Sequence, residues 1–267
     1  PDEDFLPQGD SNTIGGAFTY GKAGFQKIER YDVHYQHASR IAEGSRARLL
    51  IDVPINILHA DHGTVTIKNP PTPDTTFGFG GATDVYGTLN VGVELPVNAN
   101  FIVTPRVSYS NSQGDAYFDN DAELVNASVT ADFRLPQVGR GELIFGGMAA
   151  YSHQVDTFLS KQPFFANEDV WALRGGLAYQ LPLKTRMFGR QASLRASYVF
   201  TYESGTGFDI FKQVHEVGLS IGVRTREVEQ KNRFEQLRVG VLYTHAVNAF
   251  TSKASFDAAT LTLGYRF

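Results

Sequence analysis

The 267-residue sequence contains no cysteine, which excludes disulfides and cysteine-ligated zinc. It has no run of 18 or more apolar residues, so a transmembrane helix is excluded. It has no excess of positive charge either. Lys and Arg number 24 against 28 Asp and Glu, a formal net charge of −4 with both signs scattered, and that removes the basic footprint of a nucleic-acid binder. An initiator Met is missing, as is a charged start followed by an apolar core, so the sequence shows no signal peptide. A chain beginning at Pro1 is read as a mature or trimmed form. What is plentiful is aromatic and small: 20 Phe, 12 Tyr and 26 Gly, with a single Trp. The slightly negative mean hydropathy resembles that of a soluble protein. The patterning points elsewhere.

Strict alternation runs through long segments. Val85, Gly87, Leu89, Val91, Val93 and Leu95 interleave with Tyr86, Thr88, Asn90, Gly92 and Glu94. Leu237, Val239, Val241, Tyr243, His245 and Val247 enclose Arg238, Gly240 and Thr244, and the C-terminus sets Leu261, Leu263, Tyr265 and Phe267 against Thr260, Thr262, Gly264 and Arg266. A strand sends successive side chains to opposite faces, so each segment has one apolar and one polar face. The pattern predicts twelve strands at roughly 12–24, 26–38, 45–57, 83–95, 99–110, 122–135, 140–153, 169–181, 190–203, 210–225, 235–248 and 255–267. Residues 1–11 are left as a short N-terminal periplasmic segment. Pro96-Val97-Asn98, Pro136 to Gly139 and Pro182 to Gly189 read as tight connectors. Residues 58–82, 111–121, 154–168, 204–209 and 249–254 read as longer loops at the opposite end. Short turns at one rim and long loops at the other are the habit of membrane barrels, and an even strand count puts both termini at the short-turn rim.

A soluble β-sandwich or lipocalin-like barrel would also alternate. Three features favour a transmembrane antiparallel up-and-down β-barrel. Many segments run 12–14 residues, beyond the five or six usual in soluble sheets. The polar face carries Gly, Ser, Thr and charges of both signs, as a wet lumen would. Aromatics gather near strand ends on the apolar face, Phe133, Tyr179 and Tyr265 at one rim and Tyr109, Tyr151, Trp171 and Tyr202 at the other, like two interfacial girdles.

The last ten residues, Ala258 to Phe267, end in Thr-Leu-Gly-Tyr-Arg-Phe. This segment resembles the C-terminal signature of Gram-negative outer-membrane β-barrel proteins, in which alternating apolar residues finish on a terminal Phe. The resemblance implies a bacterial outer-membrane location, contact with outer-membrane lipid and lipopolysaccharide, and an assembly signal in Tyr265 and Phe267 read by the barrel-assembly machinery. It names no substrate.

If the odd residues of the last strand face lipid, alternation assigns the lumen. The basic set is Arg30, Arg46, Arg48, Arg106, Arg134, Arg174, Arg195, Lys212, Arg224, Arg238 and Arg266; the acidic set is Asp32, Asp52, Asp84, Glu94, Asp132, Glu142, Glu203 and Glu216. A charge facing lipid near the midplane costs roughly 2–4 kcal/mol, so the segregation is informative. Small residues such as Gly92, Ser128, Gly146, Ser197, Gly218 and Gly240 share that face and favour a bore. The functional reading is a channel for small hydrophilic solutes, anionic ones by its cation excess, with Arg106, Arg174, Arg195 and Lys212 around its middle and outer wall. The competing reading pairs those cations with Asp84, Glu203 or Glu216 in a filled barrel, and twelve strands lie between plugged and open sizes. Twelve-stranded families comparable by architecture are oligosaccharide porins, autotransporter translocators and a functional-amyloid secretion channel. A polypeptide translocator or secretion pore is therefore the alternative function; Pro1 to Ser11 shows no helical period for the lumenal helix such barrels carry.

Enzymatic constellations are weak, and no cofactor is expected. Ser152 and His153 are adjacent, hence on opposite faces. His215 and His245 face lipid on neighbouring strands with no serine beside them, which suits contact with lipopolysaccharide head groups better than catalysis as an outer-membrane lipid-modifying enzyme. Asp115, Asp119, Asp121 and Glu123 could offer oxygens to calcium but lack an EF-hand glycine turn. Phe77 to Gly81 precedes a strand, not a helix, and so fails as a phosphate cradle. His59 and His62 read as solvated loop residues.

Overall fold

In the computed structural model the described residues are 11–23, 26–61, 64–67, 75–78, 82–114, 122–155, 169–204, 211–223, 237–248 and 255–266. They form β1 (Ser11–Ala23), β2 (Gln26–Arg40), β3 (Arg48–Asp61), β4 (Thr64–Ile67), β5 (Thr75–Gly78), β6 (Ala82–Asn98), β7 (Phe101–Gly114), β8 (Ala122–Val138), β9 (Gly141–Val155), β10 (Asp169–Met187), β11 (Arg190–Ser204), β12 (Phe211–Val223), β13 (Leu237–Asn248) and β14 (Ser255–Arg266). Twelve of these strands close into one antiparallel barrel in which, apart from the closing β1–β14 pair, every neighbour but one is a neighbour in sequence. The exception is the β3–β6 pair, between which β4 and β5 form a separate two-stranded hairpin. The alternation-based count of twelve barrel strands holds. The hairpin was not foreseen, because residues 58–82 contain no long alternating run.

Closure is made by β1 and β14, paired from Thr13↔Arg266 to Ala23↔Phe256. The first strand therefore starts, and the last one ends, at the same rim. The stagger of the sheet follows from the pairings. From Ser11 they lead through Ala38, Leu50, Gly92, Arg106, Ser128, Ala150 and Ala172 to Glu203. Two residues back along β11, Thr201 leads on through Val214, Ala246 and Phe256 to Ala23. The circuit returns 12 residues along β1, and the two skipped on β11 make the shear 14. Twelve strands with that shear, at ordinary strand spacing and rise, tilt by about 39° and set a backbone radius of about 12 Å.

The tight hairpins lie further along the chain than the prolines suggested. Pro96, Pro136 and Pro182 all sit inside strands, at register irregularities that absorb their missing N–H. The turns themselves are the two-residue pairs Ala99-Asn100, Gly139-Arg140 and Phe188-Gly189. Phe188 (φ 52°) and Gly189 (φ 73°) both take positive φ, the type I′ geometry that matches strand twist.

The outward face is apolar. Val107, Leu173, Val217, Val241, Leu261 and Leu263 are each more than half exposed, an arrangement suited to hydrocarbon and not to water. Tyr109, Trp171 and Tyr202 lie outward towards the long-loop rim, with the Tyr151 ring 4.9 Å from Trp171 and tilted 49° to it. Phe133 and Tyr265 lie outward near the short-turn rim. The inward face carries many small and polar residues, and its buried members include Ala38, Thr104, Ser193, Thr201 and Thr260.

Candidate functional site: a charged belt in the lumen

The inward charges are unevenly spread. In the third of the barrel next to the short turns, Arg48 on β3 is hydrogen-bonded to Glu94 on β6 (Nε to Oε2, 2.6 Å) and is only 5% exposed. Its Nη1 also reaches Ser11 Oγ at 3.3 Å. Arg134 on β8 is bound to Glu142 on β9. Arg195 on β11 donates through Nε to Gln180 Oε1 of β10 at 2.9 Å. From β13, Arg238 reaches across β12 and β11: it donates to Ser220 Oγ and Ser193 Oγ, both at 2.9 Å, and to Gln180 Oε1 at 3.4 Å. Gln180 and Ser193 are buried. Register explains the gathering, since Glu142↔Gln180, Gln180↔Arg195, Arg195↔Ser220 and Gly222↔Arg238 are successive cross-strand partners.

Arg106 on β7 enters the same belt from slightly higher. Its stem lies against Gly92 of β6, where a Cβ would come within 2.6 Å of Arg106 Cγ. Its charge acts on Asp132, which also feels Glu94. Its Nε is buried with no hydrogen-bond partner among the described residues. In this belt, among the described residues, the guanidiniums of Arg48, Arg106, Arg134, Arg195 and Arg238 accompany the carboxylates of Glu94, Asp132 and Glu142, with Asp52 of β3, bonded by Asn90 at 3.0 Å, near the level of Arg106. Arg195 and Arg238 both donate to the neutral oxygen of Gln180, and the carboxylate of Glu142 acts on both.

Further towards the long loops the charges pair more openly. Arg30 holds Asp32 at 2.6 Å and Asn56 Oδ1 at 3.1 Å. Arg174 holds Glu216 at 2.6 Å, its side chain 46% exposed. The placement of Arg195 expected from sequence, around the middle and outer wall, is corrected: it belongs to the short-turn belt. Glu203 is half-buried near the end of β11. Asp84 and Lys212 belong to β6 and β12, and their side chains lie outside the description. Tyr265 faces outward, while Phe267 lies outside the described residues. Gln180 was missed because it is uncharged, although alternation places it on the face of Arg174 and Ala178.

The other constellations stay apart. Ser152 and His153 point to opposite faces of β9, and His153 Nδ1 bonds Asp169 Oδ1 at 2.8 Å on the outside. His59 bonds Thr83 at 3.0 Å. His62, Asp115, Asp119, Asp121 and residues 79–81 lie outside the described residues. Among the described residues no group of three or more His, Cys, Asp or Glu is arranged to hold a metal.

No protein-family profile matches the sequence, and no curated protein matches it. Solved structures match its fold. The translocator domain of autotransporter NalP from Neisseria meningitidis superposes with a TM-score of 0.61 at 13% identity, over 97% of this chain and 89% of that one. The fold is that of the bacterial outer-membrane β-barrels. The beta domain of the Bordetella autotransporter BrkA gives 0.60 at 10% identity, over 97% and 99% of the two chains. The NanC porin gives 0.51 at 9% identity, over 94% and 98%. At these identities the barrel fold is shared, and the lumenal arginine belt is a feature to be read from this chain alone.

Proposed function

We propose that this outer-membrane barrel is a channel of the bacterial outer membrane that passes small hydrophilic solutes, with anions favoured at the belt near its short-turn rim. The observation that carries the reading is the electropositive belt, with Arg195 and Arg238 oriented by Gln180, Ser193 and Ser220. Guanidiniums outnumber carboxylates in this belt among the described residues, and their planar donor forks suit carboxylates and phosphates. Above the belt the inward face carries Gly146, Gly176, Ser197, Gly218 and Gly240, small residues against which neighbouring strands' side chains lie, inside a barrel of about 12 Å backbone radius. A transport role in place of catalysis is supported by the fold neighbours, which include translocator domains and a porin. The test is single-channel conductance in a planar bilayer under a salt gradient. Discrete steps with a reversal potential on the anion-selective side are expected. A correctly folded protein that passes no current would overturn the proposal.

A further inference from the structure

The outer face carries a pair of histidines that the channel does not use. His215 of β12 and His245 of β13 are direct cross-strand partners, which places their Cβ atoms about 4.5–5.5 Å apart. Both project outward, in line with exposed Val217, Leu219, Val241 and Tyr243. Each ring is anchored through Nδ1, and from opposite sides. His215 Nδ1 is 2.9 Å from the hydroxyl of Tyr198 on β11, with Phe200 5.1 Å away ring to ring. His245 Nδ1 is 2.8 Å from Asp257 Oδ1 on β14, an oxygen that also accepts from Tyr243 at 2.5 Å. Since β11 and β14 flank the β12–β13 seam, each Nδ1 is drawn away from the seam. Nε2 lies on the opposite edge of an imidazole. The two Nε2 atoms are therefore turned towards the seam and towards each other.

We propose that His215 and His245 form a two-imidazole site for a divalent transition metal, Zn²⁺ or Cu²⁺, on the outer surface of the barrel. Imidazole nitrogens suit these ions. A metal on Nε2 fixes the Nδ1–H tautomer, with Asp257 and the Tyr198 oxygen accepting, and a carboxylate behind a ligating histidine orients the ring and raises its basicity. The seam lies on the same rim as Trp171 and Tyr202, at headgroup depth. Water and headgroup oxygens complete the coordination there. His153 supplies an internal control. It has the same arrangement, with Asp169 on its Nδ1 at 2.8 Å and Tyr151 donating to that oxygen at 2.7 Å, but its cross-strand partners are Val125 and Asp169, so it has no second imidazole.

The experiment titrates the full chain, folded in detergent, with Cu²⁺ and records electron paramagnetic resonance, with Zn²⁺ as competitor. The wild type should show one tight site with two imidazole nitrogens that Zn²⁺ displaces. His215→Phe and His245→Phe should each weaken binding at least tenfold and remove the two-nitrogen signature, while His153→Phe leaves both unchanged. Asp257→Asn should weaken binding by about tenfold. Should a phenylalanine variant fail to refold, acylation of histidines in the wild type takes its place: Zn²⁺ should protect His215 and His245 together. A wild-type signal from one nitrogen, an H153F loss equal to that of H245F, or zinc protection of only one of the pair or of neither would overturn the site.

Discussion

The sharpest consequence of the belt concerns Arg195 and Arg238. Replacing both by Gln removes two charges yet keeps hydrogen-bonding heads beside Gln180, Ser193 and Ser220. With a backbone radius of about 12 Å and an arginine reaching at most about 6 Å inward, an ion on the axis passes no closer than about 6 Å to either guanidinium. In water each charge then acts on a monovalent ion with about 0.7 kcal/mol. Screening over the 8 Å Debye length of physiological salt leaves about half of that. The two together amount to about 0.7 kcal/mol, a factor of about 3 in local anion concentration, and cations shift inversely. The anion-to-cation permeability ratio of R195Q/R238Q should therefore fall severalfold, by up to about tenfold, at 0.15 M salt. At 1 M the Debye length is 3 Å, the residual is near 0.2 kcal/mol, and the change shrinks to about twofold. Reversal potentials measured at both salt concentrations on the folded double variant decide it. An unchanged ratio at low salt, or an equal change at both, would refute a screened field from these two residues.

Arg174→Gln removes one lumenal charge as Arg195→Gln does and leaves Glu216 uncompensated, so both single variants should lower anion preference; reversal potentials check this, and an unchanged ratio in either would refute it. Glu94→Gln leaves the 5%-exposed Arg48 without its carboxylate and should cost roughly 3 kcal/mol, read as a lower urea midpoint or earlier gel-shift loss on heating. Phe188 occupies the first position of a type I′ turn at φ 52° with 86% of its surface exposed, so Phe188→Asn should stabilise the barrel by about 1 kcal/mol in urea titrations. Phe267 ends the segment that resembles the outer-membrane signature; deleting it should lower outer-membrane levels in cells while refolding into detergent stays normal, and equal levels would remove the role the resemblance implies.

A two-residue period is a local property, and for that reason the sequence alone determined much. Segments such as 85–95 and 237–247 put their apolar set on one face whatever pairs with them, and that face follows from Val, Leu and Tyr recurring at every second position. The strand number, the shared rim of the termini and the inward direction of Arg48, Arg106, Arg174 and Glu216 all follow from this local rule. Register does not. Which charge meets which is fixed by stagger around the whole barrel, and a shear of 14 accumulates over twelve pairings that no single segment encodes. Thus Arg195 falls beside Gln180 and within reach of Arg238, partners 15 and 43 residues away in sequence. The type I′ turn at Phe188-Gly189, displaced from Pro182, and the β4–β5 hairpin were hidden because neither alternates for long. His215 and His245 show the boundary most clearly. Parity put both on the lipid face, but only the flanking strands, through Tyr198 and Asp257, decided which edges of the two rings would turn towards one another.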